Sequence, residues 1–373
     1  MAVLNDEQTM LRDMAQSWVT NESPVGNYRK IRDSGDAKGY DPATYTEMAN
    51  MGWTGILVGE DHGGSDFGYL SIGLVLEQLG RTLTASPLAA SAVAATTALN
   101  LAGNDAQKAA HLPGIAAGDT VATLAIDDGP VHSLEAIATS ATKSGDGWVL
   151  NGTKAFVDEG DSADLFIVAA QTGSGLGLFL VPGDAAGLSR ATRRLTDARS
   201  HAEITLKDVN LGADALLGAE DGAAVIEQIL DRVRACTAAE MLGMADQAFN
   251  DTLEYMKTRT QFGQLLSSFQ ALQHRMAHLF TEIELMRSVV ETALEMIDQG
   301  AKDEAIAKQV SLAKAISNDT LNLMSREMLQ LHGGIGMTDE HDAGFYTKRA
   351  RVLENAWGNA SFHKDRFGVL SGI

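Results

Sequence analysis

The sequence predicts a multidomain α and β protein. A helical N-terminal domain covers residues 1–117, a small β-barrel or β-sandwich domain covers 118–216, and a C-terminal four-helix bundle covers 217–373. Three observations predict it. The chain has 373 residues, enough for several cores. Its texture changes twice, from helical periodicity to short apolar runs and back. The stretch 217–373 carries helical patterns longer than an ordinary globular helix, which is how a bundle reads.

The elements follow in order. Asn5-Asp6 precedes a helical pattern that sets Leu11, Met14 and Trp18 on one face. Asp41-Pro42 reads as an N-cap with proline at the first helical position. Glu60-Asp61-His62-Gly63-Gly64 is a turn cluster. Thr82 to Asn104 carries no charge, is rich in Ala, Ser and Thr, and contains Pro87. It reads as a buried core helix rather than a membrane span.

Val121–Ile126, Trp148–Leu150, Ala163–Ala170, Gly177–Val181 and Ala202–Leu206 are apolar runs separated by Gly, Asp and Asn, as in a small all-β domain. Asp146-Gly147 and Asn151-Gly152 favour tight hairpin turns. Ala223–Lys257, Ser268–Gln299 and Lys302–Leu331 then show helical periodicity.

Composition removes several function classes. Acidic residues outnumber basic ones 49 to 29, a formal charge of -20 that repels phosphate backbones, so no nucleic-acid partner is expected. Cys236 is the one cysteine, which excludes an intrachain disulfide and a cysteine metal cluster. Met1 to Arg12 carries no signal-peptide core, and the chain reads as cytoplasmic, with no membrane span.

Several motifs have plain readings. Gly173-Ser174-Gly175-Leu176-Gly177 lacks the spacing of a dinucleotide loop and precedes a strand, so it reads as a hairpin loop. His274 and His278 lie four apart, but Arg275 stands where a metalloprotease helix has glutamate, and no metal site is expected. Cys236 sits in an apolar helix and reads as core. His332 before Gly333-Gly334 reads as a helix end, and the glycines also permit close approach to a ligand.

One constellation is distributed. Arg259-Thr260-Gln261-Phe262-Gly263 closes one helix, Phe269-Gln270 opens the next, and Gln330-Leu331-His332-Gly333-Gly334-Ile335-Gly336 closes a later one. Together they resemble the acyl-CoA dehydrogenase family, whose helical, β and helical domains match the order read above. The resemblance covers essentially the whole chain.

It implies noncovalent FAD, held between the β domain and the bundle and completed by a neighbouring subunit. Arg259, Thr260 and Gln261 would hold the diphosphate and ADP half, with Phe262, Phe269 and Gln270 beside them. A guanidinium suits a diphosphate. Gln330, Gly333 and Gly334 would reach the same half from another subunit, and Asn359 and Ser361 match positions that touch ADP. Lys154-Ala155-Phe156-Val157-Asp158 stands where relatives carry a K-x-W-I-T segment beside the isoalloxazine. Phe156 keeps the aromatic face, and Asp158 replaces a threonine. Asp127-Asp128-Gly129-Pro130-Val131-His132-Ser133 stands where relatives carry a T-E-P-x-x-G-S-D segment, of which Ser133 is kept. Asp231 and Arg234 match a D-x-x-R pair facing the CoA thioester, against the bland reading of a solvated helix pair.

The family reaction removes a proton next to the thioester carbonyl while hydride leaves the adjacent carbon for the flavin. The base is a glutamate in a dry pocket. Its two known positions fall here on Trp357 and Val233, and neither side chain accepts a proton. Four readings fit. The chain is the non-basic subunit of a heteromeric enzyme. Or a displaced carboxylate among Asp127, Asp128, Asp158 and Glu240 serves. Or the fold runs flavin oxidase chemistry on a non-thioester substrate. Or the chain is a silent scaffold. The first two rank highest, and they imply FAD-dependent α,β-dehydrogenation of an acyl-CoA. His341 to Ala350 resembles branches with α2β2 members, some acting on bulky acyl groups such as steroid side chains. The implied partners are an acyl-CoA, an electron-transfer flavoprotein, and further subunits in a homotetramer or an α2β2 heterotetramer.

Overall fold

The structure, a computed structural model, describes residues 3–373; Met1 and Ala2 lie outside the described residues. Helix α1 (Asp6–Asn21) begins at Asn5, whose side chain accepts from the Gln8 amide while Gln8 returns a bond to the Asn5 amide. Its buried residues are Ala15 and Val19, one position on from the stripe the sequence suggested, and Met14 is 43% exposed. Helix α2 (Val25–Ser34) follows, then α3 (Pro42–Asn50), where Asp41 accepts from the Ala43 amide as an N-cap. The turn cluster is a 3-10 turn over Glu60–His62, closed by Gly63 at φ +85°. Helix α4 (Gly68–Arg81) draws its cap from far along the chain: the Asp298 carboxylate accepts from the Tyr69 and Leu70 amides at 2.6 and 2.8 Å.

The uncharged stretch is buried but is not one helix. A π-helical segment over Ala89–Ala95 runs into α5 (Thr96–Ala102), and the Thr96 amide and hydroxyl both donate to the Ser91 carbonyl, the wider i→i−5 register. Among the described residues no helix is long and apolar enough to cross a membrane. Helix α6 (Asp105–Ala116) carries a second capping box, from Asn104 and Gln107.

The chain forms two compact units. Residues 30–68 and 85–233 make one; the other combines the described residues up to Arg29 with 69–84 and 234–373.

The first unit is built on an eight-stranded sheet. Its strands are β1 (Ala122–Ala125), β2 (Ser140–Ser144), β3 (Gly147–Asp158), β4 (Leu165–Gln171), β5 (Leu176–Pro182), β6 (Leu188–Thr192), β7 (His201–Leu211) and β8 (Leu216–Leu217), in the order β6-β7-β3-β2-β4-β5-β8, with β1 parallel to β4. The three strands not foreseen are polar or very short. Ser-Ala-Thr-Lys-Ser and Leu-Ser-Arg-Ala-Thr lack the apolar alternation that flags a strand. Asp146-Gly147 lies at the β2–β3 hairpin, and Thr172 to Gly175 form the β4–β5 loop. Asn151-Gly152 is not a turn: it lies inside β3, where the register with β7 slips between Leu150 and Gly152. Glycine is needed there because a Cβ would overlap Thr139, at φ +152°. Trp148 and Phe179 meet edge to face in the core of this sheet, centroids 5.1 Å apart. Gln107 of α6 donates to the carbonyls of Asp214 and Leu216, tying helix to sheet within the unit.

The second unit is helical. Helix α7 (Ala223–Thr258) contributes its residues from Arg234 onward. A small hairpin of β9 (Thr260–Gln261) and β10 (Gln264–Leu265) leads to α8 (Gln270–Asp298), α9 (Asp303–His332), α10 (Ala343–Leu353) and α11 (Ala360–Leu370). Helix α9 buries a regular stripe, Ile306, Val310, Ala313, Ser317, Leu321, Met324 and Met328. Helices α4 and α7 cross backbone to backbone. A Cβ on Gly243 would overlap the Glu77 carbonyl, and one on Gly80 the Glu240 carbonyl. Arg287 clamps this crossing, bonding Glu77 at 2.7 Å and Asp246 at 3.3 Å, while Arg81 also pairs with Asp246.

Candidate active site

In the helical unit the turn after α10 carries Trp357. Its backbone is left-handed, φ +59°, and Gly358 follows at φ +108°. Such a conformation persists for a bulky residue only where its surroundings hold it. Here the hold is direct. The Trp357 carbonyl accepts from Arg234 Nε at 3.0 Å and from His363 Nε2 at 3.1 Å. Both donors are fully buried. A Cβ on Gly358 would strike Phe362 and His363, so only glycine fits. Burial, with the charges of Arg234 and Lys314, pushes the His363 imidazole down to about 2, so it is neutral and donates from Nε2. The Arg234 guanidinium also lies over the Phe362 ring, 5.5 Å from its centroid.

Asp231 is 3% exposed and Arg234 0%, so the pair is not the solvated one that its i,i+3 spacing also allowed. It spans the third and fourth turns of α7. Val233 is buried at 4%.

In the sheet unit two segments meet. Lys154 is fully buried, and its Nζ donates to the Ile126 carbonyl at 2.7 Å and to Asp128 Oδ1 at 2.6 Å. The Ala155 amide donates to the Asp127 carbonyl at 2.8 Å. The 127–133 segment is thereby pinned to the bulged end of β3, where register slips between Lys154 and Val157. The bulge turns Phe156 outward: it has φ +49° and is 42% exposed.

Each carboxylate suggested as a displaced base is engaged. Asp127 faces His132 Nδ1 at 2.9 Å and accepts from the Ser133 amide at 3.2 Å. Asp128 accepts from Lys154, from the Ala138 and Thr139 amides and from the Thr139 hydroxyl. Burial alone would raise its pKa, but Lys154 and Thr139 outweigh it and hold the group below the usual carboxylate range. Asp158 pairs with buried His201 Nε2 at 2.7 Å. Burial opposes a charge on that imidazole, yet the Asp158 carboxylate wins and raises its pKa. Glu240 is locked to Arg349, with bonds of 2.9 to 3.2 Å.

The remaining sequence-marked residues lie on the surface of the helical unit. Arg259, Thr260 and Gln261 are exposed, and Phe262, at the hairpin tip, is 92% exposed with φ +53°. Phe269 lies edge-on to Phe262 at 6.3 Å, and Gln270 is exposed at the start of α8. Gln330 is exposed on the last turn of α9. Gly333 ends that helix at φ +63°, with open space around it and Gly334. Asn359 caps α11, accepting from the Phe362 amide at 3.0 Å, and Ser361 is exposed in the first turn. His274 and His278 lie on α8, the latter 3.7 Å from Glu282, and Cys236 is buried with its thiol pKa pushed up.

Comparison with known proteins decides the family. Residues 5–119 match the N-terminal, 127–209 the middle and 220–367 the C-terminal domain models of acyl-CoA dehydrogenases. The chain belongs to the acyl-CoA dehydrogenase family. The probable acyl-CoA dehydrogenase YngJ of Bacillus subtilis is 28% identical over 375 residues, 97% of each chain. The acyl-CoA dehydrogenase FadE12 of Mycobacterium tuberculosis is 29% identical over 94% of this chain and 92% of that one. Among solved structures, a variant of the Tcur3481–Tcur3483 steroid ACAD superposes with a TM-score of 0.90 at 31% identity, covering 98% of each chain.

Membership places the chain in an FAD-dependent oxidoreductase family that dehydrogenates acyl-CoA thioesters. The exposed donor set fits that cofactor. Among the described residues the Arg259 guanidinium has no ion-pair partner, an apolar ring stands nearly naked beside it, and the Gly333-Gly334 backbone is open to approach. An unpaired cation, a flat apolar face and an uncrowded glycine backbone suit a dinucleotide's diphosphate and adenine.

Sequence reasoning missed three residues of this acyl-CoA dehydrogenase fold: Lys314, His363 and His201. Lys314 had a signal, a lone charge one position from Ala313 on the apolar stripe of α9. His363 and His201 had none, because each is tied to a partner distant in sequence or set by a loop.

Proposed function

We propose that the chain is the non-basic subunit of a heteromeric acyl-CoA dehydrogenase, working in an α2β2 assembly on a bulky acyl-CoA. The observation that carries this is Trp357. It aligns with the family's base position, its backbone is locked by Arg234 and His363, and Val233 is apolar. The displaced-base reading loses ground because Asp127, Asp128, Asp158 and Glu240 are all hydrogen-bonded or ion-paired. A base must have a lone pair to offer, and Asp128, whose pKa is held down, accepts a proton poorly.

On this reading residues 1–117, 118–216 and 217–373 act as the three functional domains. Arg259, Thr260, Gln261, Phe262, Phe269 and Gln270 hold the cofactor's diphosphate and ADP half. Gln330, Gly333, Gly334, Asn359 and Ser361 complete it in a neighbouring subunit. Phe156 and Asp158 border the ring system, and FAD, when bound, supplies the hydride acceptor. Ser133, Asp231 and Arg234 line the thioester side. Trp357 adds an apolar wall where the base would stand, and the partner subunit supplies the carboxylate. The 31% identity to a steroid enzyme supports a bulky acyl group, and electrons would pass to an electron-transfer flavoprotein as in the family.

Expression alone and together with a family relative that carries the glutamate tests this. The expected result is that the two chains copurify in equal numbers with flavin bound. A chain that purifies as a flavin-free monomer and joins no such relative would overturn it.

A further inference from the structure

Helix α9 carries a side chain that no step above uses. Lys314 is fully buried. Its Nζ lies 2.9 Å from Asn318 Oδ1, 2.9 Å from the Leu353 carbonyl and 3.4 Å from the Gly358 carbonyl. An ammonium has three N–H donors, and here three oxygens face them. Two belong to the last residue of α10 and to the glycine after Trp357, so one side chain spans the whole turn. The Trp357 carbonyl between them is held by Arg234 and His363.

We infer that Lys314 is a positioning residue for Trp357: its ammonium closes the turn from Leu353 to Gly358 and so fixes where the Trp357 indole points. Loss of the proton leaves two N–H groups and turns a lone pair toward a carbonyl oxygen, which opens one of the three contacts. Burial, then the Arg234 charge, pushes Lys314 down to about 7, with Glu354 acting the other way. The turn therefore loosens through the neutral range.

Other charged groups surround it. On α7 the group is Arg234, and on α9 Asp319 pairs with Lys364 of α11 at 2.7 Å. At the end of α10 Glu354 pairs with Arg351 at 2.9 Å; burial raises its pKa from a carboxylate's starting point. On α11 His363 is neutral throughout and Arg366 binds Ser311. The bearing of this turn on the reaction rests on the function proposed above; the clamp itself does not.

The test is a pH titration of Trp357 emission in the full-length protein with its bound flavin, taken as the difference from W357F. One transition near pH 7 is expected. Lys314→Met should abolish it. Asn318→Asp provides a second variant that keeps the lysine. Asn318 Nδ2 is buried without a partner, so no hydrogen bond is lost. A carboxylate beside the ammonium should move the midpoint up by about one to three pH units. A flat difference signal in the parent protein, or a midpoint that N318D leaves in place, overturns the inference. Copurification with a partner can fail while this titration holds, so the two claims separate.

Discussion

Arg234 and Trp357 are 123 residues apart, yet Arg234 Nε donates to the Trp357 carbonyl at 3.0 Å from a fully buried position. A left-handed tryptophan thus sits at the end of a fixed lever, and its backbone is held rather than loose. Arg234→Met should lower stability by about 2–3 kcal/mol, the usual worth of a charge-assisted hydrogen bond. Urea unfolding measures it, and an unchanged midpoint would show that the turn holds without this bond.

On the function proposed above, Trp357→Glu should supply the chain with a base. The new carboxylate stands on a backbone already clamped by Arg234 and His363. Reduction of bound flavin by an acyl-CoA should then rise on the order of 10²-fold over the unsubstituted chain, the usual contribution of a positioned base. Stopped-flow absorbance under anaerobic conditions reads this directly.

The Lys154–Asp128 pair should be costly to break. Asp128→Ala leaves a buried ammonium with one carbonyl for company, a loss of about 3–5 kcal/mol. The folded pKa of Asp128 is depressed, so its contribution is present above the ordinary carboxylate value of 3.8 and is lost as pH falls through the folded value. Denaturant melts of D128A and the parent chain should converge in acid.

His201 has the opposite sign. Its folded pKa is raised from 6.5, chiefly against burial and by Asp158. The stabilisation is complete below 6.5 and is lost as pH rises through the folded value. Asp158→Asn should remove this dependence, seen as a flatter plot of melting temperature between about pH 6 and pH 9. A parallel pair of curves would show that the ion pair contributes nothing.

Arg259→Met should weaken cofactor retention with little change in melting of the flavin-free chain, because the guanidinium is exposed and has no ion-pair partner among the described residues. The ratio of flavin to protein absorbance after gel filtration tests it.

Much of this was legible in the sequence because it is local. Asn5, Asp41 and Asn104 bind amides within three residues of themselves, so their helix starts can be read directly. The long periods of α7, α8 and α9 gave their lengths. What stayed hidden was set by partners far along the chain. Asn151-Gly152 looks like a turn and is a bulge, because Thr139 occupies the space a side chain would need. Strand β6 is too polar to announce itself and exists because β7 pairs with it. In the site, the exposed hairpin and glycine pair were visible as motifs. The Lys314, Arg234 and His363 clamp joins α9, α7 and α11 to one turn, and no spacing encodes that.

The most direct test of the central claim is an anaerobic titration of the flavin-loaded chain, alone, with acyl-CoA thioesters of increasing bulk, followed by visible absorbance. A chain with Trp357 in place of a base should keep its oxidised spectrum throughout and bleach only once the glutamate-bearing partner is added. Prompt bleaching of the chain by itself would mean that it carries its own base and would contradict the account.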